Sequence, residues 1–159
     1  MQNQVYLYTD GAAKGNPGPG GYGVLLELAG SSYKKEYYEG FRRTTNNRME
    51  LLAVIVGLEK LRKPNTQVLV VSDSKYVVDA VEKGWVFSWE KKYFSGKKNS
   101  DLWMRFLKVY RKHQVKFQWI KGHNNHPQNE RCDQLAVMAS QQEKLAVDAF
   151  YEREEEKLL

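Results

Sequence analysis

Only one cysteine, Cys132, occurs in the 159 residues, so no disulfide can close within the chain and a cysteine-built zinc cage is excluded. A lone thiol agrees with a reducing compartment, and the expected location is the cytoplasm. No apolar run approaches the roughly 18 to 20 residues of a membrane span. Met1–Asp10 has neither a basic start nor a long apolar stretch, so neither membrane association nor export is expected. Prolines number only four, and no linker, internal repeat or low-complexity block divides the sequence. What remains, 42% hydrophobic and 28% charged residues, suits one domain with a real core.

Acidic residues are the scarcer charge: 19 against 25 Lys and Arg, a net +6. A basic chain implies a polyanionic partner. The excess is local. Residues 1–82 carry 10 basic and 9 acidic side chains, residues 83–121 carry 11 and 2, and residues 122–159 carry 4 and 8. The middle segment also holds all four tryptophans, Trp85, Trp89, Trp103 and Trp119, and ten of the twenty aromatics. They are interleaved with Lys91, Lys92, Lys97, Lys98, Arg105, Lys108, Arg111 and Lys112. Cations for phosphates and flat faces for sugars or bases suit a nucleic acid. The alternative is a solvated helix face over a tryptophan-anchored core.

Gln4–Asp10, Tyr22–Leu28 and Tyr33–Phe41 read as strands split by turns at Gly11–Gly21 and Ala29–Ser32, hence antiparallel. Asn47–Leu61 places Leu51, Val54, Ile55 and Leu58 at helical spacing, after the capping candidates Thr44, Thr45 and Asn46 and before Pro64. Val68–Ser72 is short and wholly apolar, as a strand buried on both faces and parallel to the first would be. Ser74–Glu82 and Asp101–Lys112 read as helices, Gln114–Ile120 as a fifth strand and Asn129–Val147 as a closing helix. The acidic tail is expected to be helical or loosely docked. The class is mixed α/β with about five strands.

Four carboxylates fall where strands end or helices begin. Asp10 closes the first strand, Asp73 the buried strand, Glu50 lies in the first turns of the crossover helix and Asp133 opens the last helix. Each has an ordinary alternative: Asp10 as a turn former, Asp73 as an N-cap, Glu50 and Asp133 as favourable charges near helix N-termini. If the first and fourth strands are parallel neighbours, Asp10 and Asp73 emerge side by side, and their repulsion calls for protons or cations. Hard divalent ions suit carboxylate oxygens, and four carboxylates in a basic neighbourhood suggest two-metal phosphodiester hydrolysis.

The blocks T-D-G-A-A-K-G-N-P-G-P-G-G-Y-G from Thr9, T-T-N-N-R-M-E-L from Thr44, S-D-S-K-Y-V from Ser72 and K-G-H-N-N-H-P-Q-N-E-R-C-D-Q-L-A from Lys121, in this order and spacing, resemble bacterial type 1 ribonuclease H. The resemblance covers about Gln4 to Ala139. It implies a ribonuclease H-like α/β fold, a five-stranded mixed sheet of order 3-2-1-4-5 flanked by helices. It also implies a catalytic domain over 1–147 with the acidic tail at 148–159, and an endonuclease that cuts the RNA strand of RNA–DNA hybrids to leave 3′-hydroxyl and 5′-phosphate ends. Two Mg2+ ions per site are implied, with Mn2+ as a substitute, in a monomer.

By the same resemblance Asp10, Glu50, Asp73 and Asp133 match metal-binding carboxylates, and His123 matches a loop histidine that handles protons or assists product release. Asn16, Asn46 and Asn47 match residues sensing the RNA 2′-hydroxyl, with backbone help from the Gly11–Gly15 turn. Arg43, Thr45 and Asn99 match a pocket for one DNA-strand phosphate, and Trp85 matches a tryptophan on deoxyribose. Lys91, Lys92, Lys97 and Lys98 form a basic handle. The chain departs from many bacterial members at Ala12–Ala13, at Lys75 in place of Gln, and in a shorter Trp89–Trp103 segment, so Lys75 is a substrate contact of altered chemistry and the handle is trimmed. No separate N-terminal hybrid-binding domain is expected. A zinc site of His123, His126 and Cys132 lacks an evident fourth ligand, and Pro127 with Asn129 reads as a helix entry. The Gly15–Gly21 loop has no Lys-Ser/Thr and no following helix, so it is not a triphosphate cradle. A catalytically idle hybrid-binding protein and the ribonuclease H part of a reverse transcriptase are the competing readings.

Overall fold

A computed structural model describes residues 4–122 and 124–159. Five strands form one sheet: β1 (Gln4–Ala13), β2 (Gly18–Leu28), β3 (Lys34–Thr44), β4 (Gln67–Ser72) and β5 (Gln114–Trp119), in the order β3-β2-β1-β4-β5. The first three are antiparallel neighbours, whereas β4 is parallel to both β1 and β5. The parallel pairings need crossovers. α1 (Asn46–Glu59) supplies the first, and α2 (Lys75–Glu82), α3 (Trp85–Lys91) and α4 (Ser100–Tyr110) lie in the second. α5 (Pro127–Ser140) and α6 (Ala149–Glu156) complete the chain.

One face of the sheet packs on α1, which is buried almost all round because α4 covers its far side. Leu7, Val24, Met49, Ile55, Leu58, Val70, Trp103 and Phe106 fill this main core. α5 covers the other face over a lane of small residues: a Cβ at Gly23 would fall 2.3 Å from the Cys132 carbonyl oxygen, and one at Gly21 2.5 Å from that of Ala136. These glycines let a helix backbone lie directly on β2.

That contact corrects the expected Gly11–Gly21 turn. The β1–β2 ladder runs on through Ala13↔Gly20, and only the residues between Ala13 and Gly18 turn. The closing helix ends at Ser140, short of Val147, because the chain turns back to bridge the outer edge of β3 at Phe41↔Ala146. α3 falls in the basic, aromatic stretch, where the sequence left a nucleic-acid surface and a helix face over a tryptophan-anchored core both open.

The acidic tail, expected to be helical or loosely docked, forms α6 and is anchored. Asp148 is buried, caps α6 and accepts from Thr44 Oγ1 at 2.8 Å and Arg48 Nε at 2.7 Å. Arg48, only 2% exposed, also donates to both oxygens of Asp101. Buried charge persists only when paired and fully hydrogen-bonded. This Asp148–Arg48–Asp101 group meets that condition and crosses the 147/148 boundary.

Candidate active site

β1, β4 and α1 bring Asp10, Glu50 and Asp73 together, with one ligand oxygen from each lying within 4.8 Å of the others. The ordinary alternatives do not describe them. Asp10 sits inside a strand, paired with Gly23; Ser74, not Asp73, caps α2 by accepting from Val77 N; and Glu50 is a full turn into α1. Gly11 makes the cluster possible. A Cβ there would fall 2.4 Å from Glu50 N, so only glycine lets β1 approach α1 this closely. The Gly11 amide then donates to Asp10 Oδ1 at 2.9 Å and to Glu50 Oε1. The sequence resemblance had given the backbone here to the RNA strand; the trace of its role between the carboxylates is the Asp-Gly pair itself.

Asp10 is 7% exposed. Burial pushes its carboxyl up to about 7, the Glu50 hydrogen bond and Gly11 amide pull it down, and the charges of Asp73 and Asp133 raise it. Glu50 is held well above the usual carboxylate range, first by burial and then by Asp10 and Asp73. Three acids forced together and short of water favour a positive ion, and an all-oxygen set fits a hard divalent cation. Asp133 is half-buried in the second turn of α5 instead of opening it, and is not among the three clustered groups; its charge still reaches Asp10.

Two further features frame Asp73. Trp119, at the end of β5, donates its indole N–H to the Asp73 carbonyl at 3.0 Å, and the Lys75 ammonium lies 4.5 Å from the centre of the Trp119 ring. Gly122 passes so close that a Cβ would fall 2.6 Å from Asp73 Oδ2. The neighbouring His123 lies outside the described residues. His126 caps α5 by accepting from Asn129 N, and Cys132 is fully buried with its thiol pushed up by burial, so neither side chain has the character of a zinc ligand.

The polar residues beside the cluster form a connected rim. Asn16 Oδ1 accepts from Asn46 N at 2.9 Å, and Asn46 Oδ1 accepts from Ala13 N, tying the β1–β2 turn to the start of α1; Asn47 beside them is exposed. Thr45 caps α1 by accepting from Arg48 N, and Asn99 accepts from Arg48 Nη1 at 3.3 Å while donating to the Tyr76 hydroxyl. Arg43 is engaged elsewhere, in a two-point ion pair with Glu155.

The tryptophans divide. Trp103 is fully buried and Trp89 packs edge-on against it, so these anchor the core, whereas Trp85 and Trp119 are exposed. Lys91, Lys92, Lys97 and Lys98 are exposed around the buried Phe94, and none of them is in a salt bridge among the described residues.

The RNase H family matches residues 2–141, nearly all of the chain that carries this sheet, triad and α5. The chain belongs to the RNase H family. It is 55% identical over 150 residues to Ribonuclease H of Desulforamulus reducens, covering 91% of this chain and 92% of that one. It is 47% identical to Ribonuclease H of Trichodesmium erythraeum, covering 95% and 98%. Among solved structures, LC9-RNase H1, described as a type 1 RNase H with the type 2 active-site motif, superposes with a TM-score of 0.78 at 31% identity, over 88% of this chain and 73% of that one. LC11-RNase H1, solved in complex with an RNA/DNA hybrid, gives 0.62 at 27% identity, over 85% and 95%. The protein is thus a ribonuclease H, an endonuclease of the hydrolase class, and its sheet order is the one the sequence resemblance implied.

Proposed function

We propose that this ribonuclease H hydrolyses the RNA strand of RNA–DNA hybrids with two Mg2+ ions, or Mn2+ in their stead, held by Asp10, Glu50, Asp73 and Asp133. The observation that carries the reading is the Gly11-bridged cluster of three carboxylates, in a chain that also carries the exposed lysines of 91–98. Bound ions would supply an activated water and a stabilised leaving oxygen, giving 3′-hydroxyl and 5′-phosphate ends.

The chain's own residues supply alignment. Asn16 and Asn46, tied together at the β1–β2 turn, and the exposed Asn47 would meet the 2′-hydroxyls of a wide minor groove. Lys75, held against Trp119, offers a cation two residues from Asp73. On the other strand Thr45, Asn99 and Arg43 would grip one phosphate, Trp85 would pack on deoxyribose, and Lys91, Lys92, Lys97 and Lys98 would add point charges to the backbone. His123 would move a proton at the departing or attacking oxygen. The hybrid bound by LC11-RNase H1 supports this choice of partner. The protein acts as a cytoplasmic monomer in this reading.

The test is incubation with labelled RNA–DNA hybrid, RNA duplex and DNA duplex, each with magnesium or chelator. Metal-dependent cleavage confined to the RNA strand of the hybrid is expected. Asp73→Asn should abolish turnover and leave hybrid binding measurable. Absence of cleavage in the wild-type protein, or full activity of Asp73→Asn at millimolar magnesium, overturns the assignment.

A further inference from the structure

The C-terminal helix holds both arginines at the end of β3. Arg42 donates Nε and Nη2 to Glu152 at 2.9 and 2.8 Å, and Arg43 donates the same pair to Glu155 at 2.6 and 2.7 Å. Arg42 and Arg43 fall where the β2–β3 register shifts, so ordinary strand alternation is broken there, and residues three apart on a helix share a face. α6 therefore lies along the free edge of β3, presenting Glu152 and Glu155 together to both arginines. An arginine fork accepts carboxylate and phosphate with the same two-point geometry. Arg43 is also next to Thr44, Thr45 and Asn46, the residues that lead into the rim around the carboxylate cluster.

We propose that α6 is an internal substitute for nucleic-acid phosphate: Glu155 and Glu152 occupy Arg43 and Arg42 in the free protein and compete with the hybrid's DNA strand for them. This rests on the hybrid-cleaving reading above. Three observations carry it. α6 has no buried residue, so apolar packing does not hold its acidic face down. The arginines are 58% and 46% exposed in their pairs, where solvent screening leaves such contacts weak and exchangeable. And the root of the helix is fixed separately, by Asp148 in its buried bonds to Thr44 and Arg48 and by Phe150 under the Arg48 guanidinium at 5.4 Å, so the glutamates can yield while the tail stays attached.

The test measures hybrid binding in chelator, so that no turnover occurs, across a range of salt. Glu152→Gln with Glu155→Gln should bind roughly threefold to tenfold tighter at low salt, with the log–log salt slope steeper by up to about 0.9 per arginine released. Glu154→Gln with Glu156→Gln changes net charge equally on the same helix without touching Arg42 or Arg43, and should gain clearly less. Adding Arg42→Gln and Arg43→Gln to the first pair should erase its gain. Equal tightening by both glutamate pairs, a gain that survives loss of the arginines, or no gain at all overturns the proposal. If the first pair lowers the melting temperature, Glu155→Gln alone, with Glu152 and Asp148 intact, applies the same criteria at Arg43. Wild-type cleavage of the same hybrid is followed with magnesium: its absence defeats the substrate reading, whereas normal cleavage with unresponsive glutamates defeats only the competition.

Discussion

Replacing Asp10 by Asn should stabilise the metal-free protein while abolishing turnover. In the native state Asp10 is buried against Glu50 and Asp73, which pushes its carboxyl from 3.8 up to about 7. The native state therefore holds this proton more tightly than the unfolded chain, so the associated stability is complete below pH 3.8 and is lost as pH rises towards 7. At 1.36 kcal/mol per pKa unit the gap corresponds to about 4 kcal/mol at pH 7 as an upper bound, because Glu50 shares the titration. Asn keeps an oxygen for the Gly11 amide but must bury its own NH2, which reduces the expected gain to about 1–3 kcal/mol, or roughly 3–10 °C in melting temperature. Thermal melts in chelator at pH 4 and pH 7 test this, the advantage of Asp10→Asn being largest at pH 7. Magnesium should raise the melting temperature of the wild type more than that of the variant, since it removes the repulsion only where the ligands are complete. Equal melting at pH 7 in chelator, or a gap that does not shrink at pH 4, refutes the argument that the carboxylates are held together at a cost.

Gly11→Ala should cost about 1–3 kcal/mol and lower cleavage at least tenfold, because its Cβ would meet α1 backbone 2.4 Å away and must push Glu50 from Asp10; denaturation and steady-state rates check both. Asp148→Ala should cost about 3 kcal/mol in urea titration, since it leaves Arg48 buried with Asp101 as its remaining charged partner. Changing Lys91, Lys92, Lys97 and Lys98 to Glu should weaken hybrid binding and flatten its salt slope by roughly 0.7 to 0.9 per lost phosphate contact. An unchanged slope moves the binding surface elsewhere.

The elements legible in the sequence were those whose partners could be inferred from one-dimensional pattern. Val68–Val71 is apolar at every position because β1 and β5 flank it on both edges, although the face carrying Leu69 is only half-buried, less than the two-sided burial the pattern suggested. Asp10 and Asp73 were legible as a pair once those strands were adjacent. What the sequence concealed depended on contacts between distant segments. Arg48 looks like any surface arginine of a capped helix start until Asp101 and Asp148 arrive from 53 and 100 residues away. The run Glu154–Glu155–Glu156 looks solvated until Arg43 reaches Glu155 across 112 residues. The Gly20–Gly21 pair reads as a turn because glycine usually marks one, whereas here Gly21, with Gly23 further along the strand, makes room for α5.

The net charge of +6 averages over two populations of basic residues. Arg42, Arg43, Arg105, Arg111 and Arg131 each make a two-point ion pair with Glu152, Glu155, Glu59, Glu90 and Glu36, and Arg48 is internal. The four lysines of the 91–98 segment have no such partner among the described residues. Guanidinium forks read base edges and phosphates in fixed orientation, whereas ammonium groups act as mobile point charges. With five arginine forks on carboxylates in the free protein, the charge first offered to a polyanion is chiefly lysine, which follows a backbone without reading its sequence, and Arg42 and Arg43 join it as Glu152 and Glu155 yield. In the proposed reading selectivity then falls to Asn16, Asn46 and Asn47, which would sense the sugar, and cleavage should track the presence of 2′-hydroxyls in one strand more than the identity of the bases.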